Sequence, residues 1–147
     1  MFEFIKKPST DKQIYTVLHP FLKNWFETKF GSFSAPQKYG ILPIHNKDNT
    51  LIFAPTGTGK TLTAFTSVIN ELTILADKGE LEDRVYCVYI SPLKALSRDI
   101  KVNLTDPLSS IKEIAKKKNK KINIRVATRT GDTTTSQKSG MLKNPPH

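Results

Sequence analysis

The sequence has few cysteines, no long apolar run and few acidic residues in its second half. A single cysteine, Cys87, lies in the apolar run 85–90, where we expect a small core residue. It excludes an internal disulfide, as is typical of a reducing compartment. No stretch of about 18 apolar residues occurs, which argues against a transmembrane helix, and the start MFEFIKKPST lacks the apolar segment of a signal peptide. We therefore expect a cytoplasmic protein with no membrane partner.

The shortage of acidic residues makes the second half strongly basic. Residues 1–83 contain nine basic and nine acidic residues, whereas residues 84–147 contain fourteen and four, so the net charge of +10 belongs to the second half. A basic surface attracts polyanions such as nucleic acid, although a solvated face of a lysine-rich protein gives the same composition. Six lysines lie close together in the sequence, and they are most simply a solvated helix end and turn, with direct contact to nucleic acid as the alternative: Lys112, Lys116, Lys117, Lys118, Lys120 and Lys121.

The most specific motif is APTGTGKT at residues 54–61, which follows the apolar run 51–53 and precedes a helical pattern of apolar residues. Glycine-Lys-Thr between a strand and a helix is the sequence of a phosphate-binding P-loop. The alternative, a plain glycine-rich turn, does not account for the lysine and threonine. The predicted nucleotide-binding residues of the loop are Thr56, Gly57, Thr58, Gly59, Lys60 and Thr61.

Each residue type in this loop suits a bound triphosphate. Gly57 and Gly59 permit backbone angles that turn N–H groups towards an anion, and the start of a helix adds further unpaired N–H groups. Lys60 is predicted to reach the β- and γ-phosphates. The Thr61 hydroxyl is predicted to hold Mg²⁺, which prefers hard oxygen ligands. Lys60 and Thr61 are therefore the candidate catalytic residues, with ATP and Mg²⁺ as cofactors.

Apolar periodicity predicts an α/β fold. Helices are predicted at residues 11–30 (broken at His19-Pro20), 36–45, 61–76, 93–104 and 106–118, and strands at 50–53, 85–90 and 122–127. Strands that alternate with helices form a parallel sheet through right-handed crossovers. The segments after the three strands would then lie along the carboxyl edge of the sheet, where ligands bind in open α/β folds.

Upstream of the P-loop, Gln37 is a candidate for recognition of the base. Its carboxamide has a donor and an acceptor that match the N6 and N7 edge of adenine. Phe33 has two possible roles, stacking on the base or packing in the core. Taken alone, this signal is weak, because Pro36-Gln37 is also an ordinary start of a helix.

These segments, in this order and spacing, resemble superfamily-two helicases. The phrases YISPLKAL at 89–96 and RTGDT at 129–133 are similar to the Lhr (large helicase-related) branch. The resemblance implies that Gln37 reads adenine, that the fold is RecA-like and that DNA is favoured over RNA, with translocation from 3′ to 5′. It also implies a set of residues that contact the nucleic-acid backbone: Ser91, Pro92, Leu93, Lys94, Thr130, Gly131 and Asp132.

Comparison with that family pattern also predicts what is missing. The sequence has no Asp-Glu pair, whereas such helicases use Asp-Glu-x-His to hold Mg²⁺ and to position the attacking water. We therefore expect an N-terminal helical lead-in at 1–35 and a partial helicase ATP-binding domain at 36–147 that lacks the later strands. These 147 residues alone are expected to hydrolyse ATP negligibly. The alternatives are a P-loop kinase of a small metabolite and a non-catalytic nucleotide-binding module.

Overall fold

The computed structural model describes residues 3–91 and 100–147, and its regular elements there are all helical. The chain divides into two compact units, Met1–Glu71 and Leu72–His147. The predicted division into residues 1–35 and 36–147 stays a prediction. The helices are α1 (Asp11–Val17), α2 (Pro20–Phe30), α3 (Ala35–His45), α4 (Lys60–Lys78), α5 (Asp106–Lys117) and α6 (Thr135–Lys143), and a π-helical turn (Lys101–Thr105) precedes α5.

The predicted break between the first two helices is confirmed. Thr10 and Gln13 form a reciprocal capping box at the start of α1, with distances of 2.8 Å and 3.2 Å between the backbone nitrogens and the side-chain oxygens. Pro20 begins α2, where its missing N–H costs nothing. His19 lies between the two helices, and its Nδ1 accepts a hydrogen bond from the N–H of Phe21 at 3.2 Å.

Aromatic side chains form much of the core of the first unit. Phe26 is fully buried and stacks on Phe33, with ring centroids 4.1 Å apart. Trp25 and Phe30 contact the other sides of Phe26 at 5.9 Å and 4.9 Å. Tyr15 from α1 lies 4.9 Å from Phe33. Phe33 is therefore a packing residue that joins α1 and α2, and its ring is not free to stack on a base.

One buried carboxamide connects α4 to the segment between α1 and α2. Asn70, which is 1% exposed, accepts a hydrogen bond from the N–H of His19 at 2.6 Å and donates to the carbonyl of Val17 at 2.9 Å. These backbone groups lie where the helical ladder is interrupted. Asn70 thereby fixes α4 against the start of the chain.

The prediction of an α/β fold with a parallel sheet is wrong for the described residues. Segments 50–53, 85–90 and 122–127 contain no strand. The apolar side chains that a sheet would cover remain uncovered, since Leu51 is 87% exposed, Phe53 99% and Ile90 87%. Cys87 is likewise exposed and outside the core that we expected for it, although partial burial of its sulfur raises the pKa of its thiol. An apolar run shows that a segment could be buried, but the segment forms a strand only if a neighbouring strand pairs with it.

In the second unit, the structure shows why segments 85–90 and 122–127 do not pair as strands. The N–H groups of Tyr86 and Cys87 both donate to the carbonyl of His147, at 2.7 Å and 2.9 Å, and the N–H of His147 donates to the carbonyl of Arg125 at 3.0 Å. Segments 85–90 and 122–127 therefore bond to a residue that lies between them, and no ladder forms from one to the other.

The second unit buries one face of α5. Leu108, Ile111 and Ala115 are buried, together with Ile122 and Ile124 from the following segment. The predicted alternation at 122–127 is thus confirmed at its first positions even though no strand forms. Within the described part of the chain, none of the helices has the length and apolar character needed to cross a bilayer.

Helix α6 was not predicted, although the sequence contains a signal for it. The hydroxyl of Thr134 accepts from the N–H of Gln137 at 3.3 Å, and the Gln137 side chain accepts from the N–H of Thr134 at 2.9 Å. This Thr-x-x-Gln capping box is a recognisable helix start. The helix buries none of its residues, so it lacks the apolar period on which the prediction relied.

Candidate nucleotide-binding site

The loop between residues 54 and 60 has the backbone of an anion site. Gly57 and Gly59 have φ angles of 79° and 95°, in the region that side chains with a Cβ rarely adopt. Lys60 begins α4, a 19-residue helix, so the positive end of a long helix faces the loop. The loop therefore combines two left-handed glycines with a helix start, as the motif predicts.

The Lys60 ammonium group is hydrogen-bonded within the loop. Its Nζ donates to the carbonyl oxygen of Ala54 and, at 2.6 Å, to that of Pro55. The hydroxyl of Thr58 donates to the same Pro55 carbonyl at 2.7 Å. The lysine thus lies across the first residues of the loop. For Lys60 to bind a phosphate, phosphate oxygens would have to replace these two carbonyls as its hydrogen-bond acceptors.

Gln37 lies directly against the loop. It is 4% exposed, and its Oε1 accepts a hydrogen bond from the N–H of Ser34 at 2.7 Å, which caps α3. Its Nε2 would be 3.2 Å from a Cβ built on Gly59, and Ser34 Oγ would be 3.1 Å away. A carboxamide oxygen has two lone pairs, so the cap leaves one acceptor site. Gln37 therefore has a structural role at α3 and lies beside the phosphate loop.

Thr61 is the one predicted metal ligand in this site. Its side chain is half-buried in the first turn of α4. The described residues contain no group of three or more His, Cys, Asp or Glu residues able to hold a metal. Mg²⁺ commonly takes one or two protein oxygens and completes its shell with waters and phosphates. The donor set therefore fits a magnesium ion that is bound chiefly through a nucleotide.

The predicted nucleic-acid residues lie in the second unit, and only part of the set is described. Pro92, Leu93 and Lys94 lie outside the described residues. Ser91 has a half-buried side chain whose Oγ is buried without a hydrogen-bond partner in the described structure. The structure therefore gives no exposed hydroxyl at Ser91.

The second predicted element is an exposed turn. The N–H of Thr130 donates to Thr133 Oγ1 at 2.7 Å, the N–H of Asp132 donates to Thr130 Oγ1 at 3.3 Å, and Gly131 is exposed. The turn is held by its own threonines. The sheet edge that was expected to gather it with the P-loop is missing from the described residues.

Within the first unit, the structure brings together the P-loop residues and Gln37. Sequence reasoning missed three groups there: the carbonyls of Ala54 and Pro55, which hold Lys60, and Ser34, which packs beside Gly59. Ser34-x-x-Gln37 is a capping-box spacing, so the sequence did contain a signal for Ser34. No sequence pattern marks the two carbonyls, because every residue has one.

Comparison with known families assigns the chain to a class of protein. Residues 34–147 match the model of the DEAD/DEAH box helicase family, and the chain belongs to that family.

Within the DEAD/DEAH box helicase family, the chain is similar to helicases of the Lhr type. The chain is 55% identical to the ATP-dependent helicase Lhr-Core of Methanothermobacter thermautotrophicus over 94% of its length, and 50% identical to that of Methanocaldococcus jannaschii over 99%. It spans 16% and 17% of those proteins. A solved structure of the Mycobacterium smegmatis helicase Lhr, bound to ssDNA and AMP-PNP, is similar with a TM-score of 0.76 and 34% identity, over 90% of this chain and 16% of that one. The predicted resemblance to Lhr-like helicases is thereby confirmed.

Proposed function

We propose that this chain is the N-terminal, nucleotide-binding part of an ATP-dependent DNA helicase of the Lhr type. It binds ATP with Mg²⁺ at residues 54–61 and a nucleic-acid backbone through the second unit. The observation that carries the proposal is the loop itself, with Gly57 and Gly59 in the left-handed region, Lys60 at the start of α4 and Gln37 packed against Gly59.

Each residue has a definite task in nucleotide binding. The N–H groups around Gly57 and Gly59 surround the phosphates, and Lys60 leaves its two carbonyl partners to neutralise phosphate charge. The Thr61 hydroxyl holds Mg²⁺, which neutralises phosphate charge when it is bound. Gln37 presents Nε2 and the remaining lone pair of Oε1 to adenine. Loss of the Gln37 side chain would also remove the cap of α3.

The nucleic-acid partner is proposed to be single-stranded DNA, held by its phosphates and without sequence preference. The exposed turn at Thr130, Gly131 and Asp132 supports this assignment, as does the ssDNA bound by the similar Mycobacterium smegmatis structure. Ser91, Pro92, Leu93 and Lys94 are proposed as a second group of contacts on the strength of the family motif. Because the Oγ of Ser91 is buried, we propose that this residue contacts the strand through its backbone.

Two glycine variants test the geometry of the loop. Gly59→Ala would combine an unfavourable φ with contacts of 3.1 Å and 3.2 Å to Ser34 and Gln37, whereas Gly57→Ala would meet no atom within 4 Å and carries only the φ cost. That cost is about 1–3 kcal/mol for a residue with a Cβ. We expect both variants to weaken ATP binding, and Gly59→Ala to weaken it more. Titration calorimetry with Mg-ATP measures the difference, and an equal or smaller loss for Gly59→Ala would contradict the proposed packing.

The strand-binding half of the proposal is tested by the salt dependence of affinity. For a domain that binds the backbone of a single strand, the logarithm of affinity falls linearly with the logarithm of salt concentration, with a slope of about −0.7 per phosphate contacted. The affinity of such a domain does not depend on base sequence. A metabolite kinase shows no such binding. Fluorescence anisotropy with two labelled oligonucleotides of unrelated sequence, in rising NaCl, separates the two functions.

A further inference from the structure

We infer that the C-terminal end of α5 forms a second contact surface for the phosphate backbone of nucleic acid, separate from the proposed motif residues. This inference rests on the proposed function and extends it. The surface, called here the lysine surface, consists of residues 116–121 with Lys112 beside them. From the sequence alone, the simplest interpretation of these lysines is a solvated helix end; the geometry of the turn supports a more specific one.

The backbone of the lysine surface is held in one conformation. The N–H groups of Lys118 and Lys120 both donate to the carbonyl of Ala115 at 2.9 Å, and the N–H of Asn119 donates to that of Lys116 at 3.0 Å. Asn119 has a φ of 56°, as expected for the left-handed residue that closes a helix in a Schellman motif. A flexible charged tail would have no such closure, so these lysines are presented from a fixed turn.

Of the six lysines, Lys118 makes an interaction of its own; among the remaining five, two are anchored and three are not. Lys112 Nζ donates to the carbonyl of Ile124 at 3.1 Å, and Lys120 forms an ion pair with Asp77 at 3.0 Å. The other three are exposed and have no acidic partner among the described residues: Lys116, Lys117 and Lys121. The anchored pair fixes the position of the surface, and the remaining three leave their charge to solvent.

The number of lysines exceeds what the helix needs. The negative end of a helix dipole carries about half an elementary charge, so about one cation is enough to complement it. Lys112 and Lys116 are one turn apart on α5, so these two like charges repel one another. A row of phosphates would remove this repulsion, because each phosphate neutralises one ammonium group and releases its counterions.

The chemistry of the surface favours nucleic acid over other anionic partners. The exposed side chains at residues 116–121 are lysines and Asn119, with no aromatic or aliphatic residue among them. Protein interfaces have an apolar or aromatic centre, and membrane-surface helices insert apolar side chains. A surface of cations alone suits a backbone that is recognised by charge and not by base.

The test compares two triple substitutions in the 147-residue chain. Lys116→Glu/Lys117→Glu/Lys121→Glu removes the free lysines of the surface. Lys6→Glu/Lys7→Glu/Lys29→Glu makes the same change in net charge at exposed lysines of the first unit, including one in the last turn of α2. Binding of a fluorescein-labelled oligothymidylate is measured by anisotropy over a series of NaCl concentrations. We expect the negative slope of log affinity against log salt to become shallower by about 2 for the surface variant, since each lost phosphate contact removes about 0.7. We expect the slope of the control variant to equal that of the wild type.

Circular dichroism checks that each variant folds. If the Glu triple variant does not fold, the corresponding Gln triple variant replaces it, and we expect the same reduction in the magnitude of the slope. Equal slopes in the surface and control variants would overturn the inference. So would lysine-dependent binding to phosphatidylserine vesicles in a wild-type chain that does not bind the oligonucleotide. If the surface variant keeps the wild-type slope and still binds ATP and the strand, this inference is refuted and the proposed function is not. A wild-type chain that binds neither ATP nor the strand refutes the proposed function as well.

Discussion

Replacement of Lys60 by alanine is expected to weaken ATP binding by roughly 10- to 150-fold. The change removes a charge-assisted hydrogen bond to phosphate, which contributes about 1.5–3 kcal/mol, and each 1.4 kcal/mol corresponds to about a tenfold change in affinity. It also removes the contacts of Lys60 with the carbonyls of Ala54 and Pro55. Titration calorimetry with Mg-ATP measures the loss.

The matched control is Lys78→Ala, in the last turn of the same helix and exposed to solvent. It changes the net charge equally without touching the loop. We expect its ATP affinity to equal that of the wild type. Lys60→Met retains most of the apolar stem, and a loss similar to that of Lys60→Ala would assign the effect to the ammonium group. An ATP affinity that Lys60→Ala leaves unaltered would refute the nucleotide site.

Phe26→Ala is expected to have the largest effect on stability. The Phe26 ring is fully buried and contacts Trp25, Phe30 and Phe33. Truncation of such a ring costs about 3–5 kcal/mol, as lost burial and a residual cavity, out of a total stability of about 5–15 kcal/mol for a typical domain. The first unit would therefore lose a large part of its free energy of unfolding.

Urea denaturation followed by fluorescence measures this loss, because Trp25 is the sole tryptophan and lies in the same cluster. Phe4→Ala is the control, since Phe4 is 86% exposed and its removal opens no cavity. We expect its denaturation midpoint to match that of the wild type. Similar midpoints for Phe26→Ala and Phe4→Ala would show that the aromatic cluster does not hold this unit together.

The local features of the fold were predictable from the sequence, because short-range chemistry determines them. The break at His19-Pro20 and the beginning of α5 at Asp106-Pro107 follow from the fixed φ of proline. The phosphate loop follows from glycines and a lysine within eight residues. Each of these signals lies within a few positions of the structure it specifies, so no knowledge of distant contacts is needed.

The wrong prediction of strands and the open role of Phe33 both depended on distant contacts. The run 85–90 is apolar enough for a buried strand, yet its N–H groups at Tyr86 and Cys87 bond to His147, about sixty positions away along the chain. The role of Phe33 was left open between base stacking and packing, and its stacking on Phe26 decides it. Helix α6 was missed for the opposite reason, because its capping box is local but its residues have no buried face.

The carboxamide bridge from Asn70 to His19 offers a spectroscopic reporter. The His19 amide proton is held by a side chain on the helix that begins at the phosphate loop. A shift of that helix when nucleotide arrives would alter this one hydrogen bond, and with it the chemical shift and solvent exchange of the His19 amide. Isotope-labelled chain would thus reveal movement at the nucleotide site through a nucleus in the opening segment, with no dye attached.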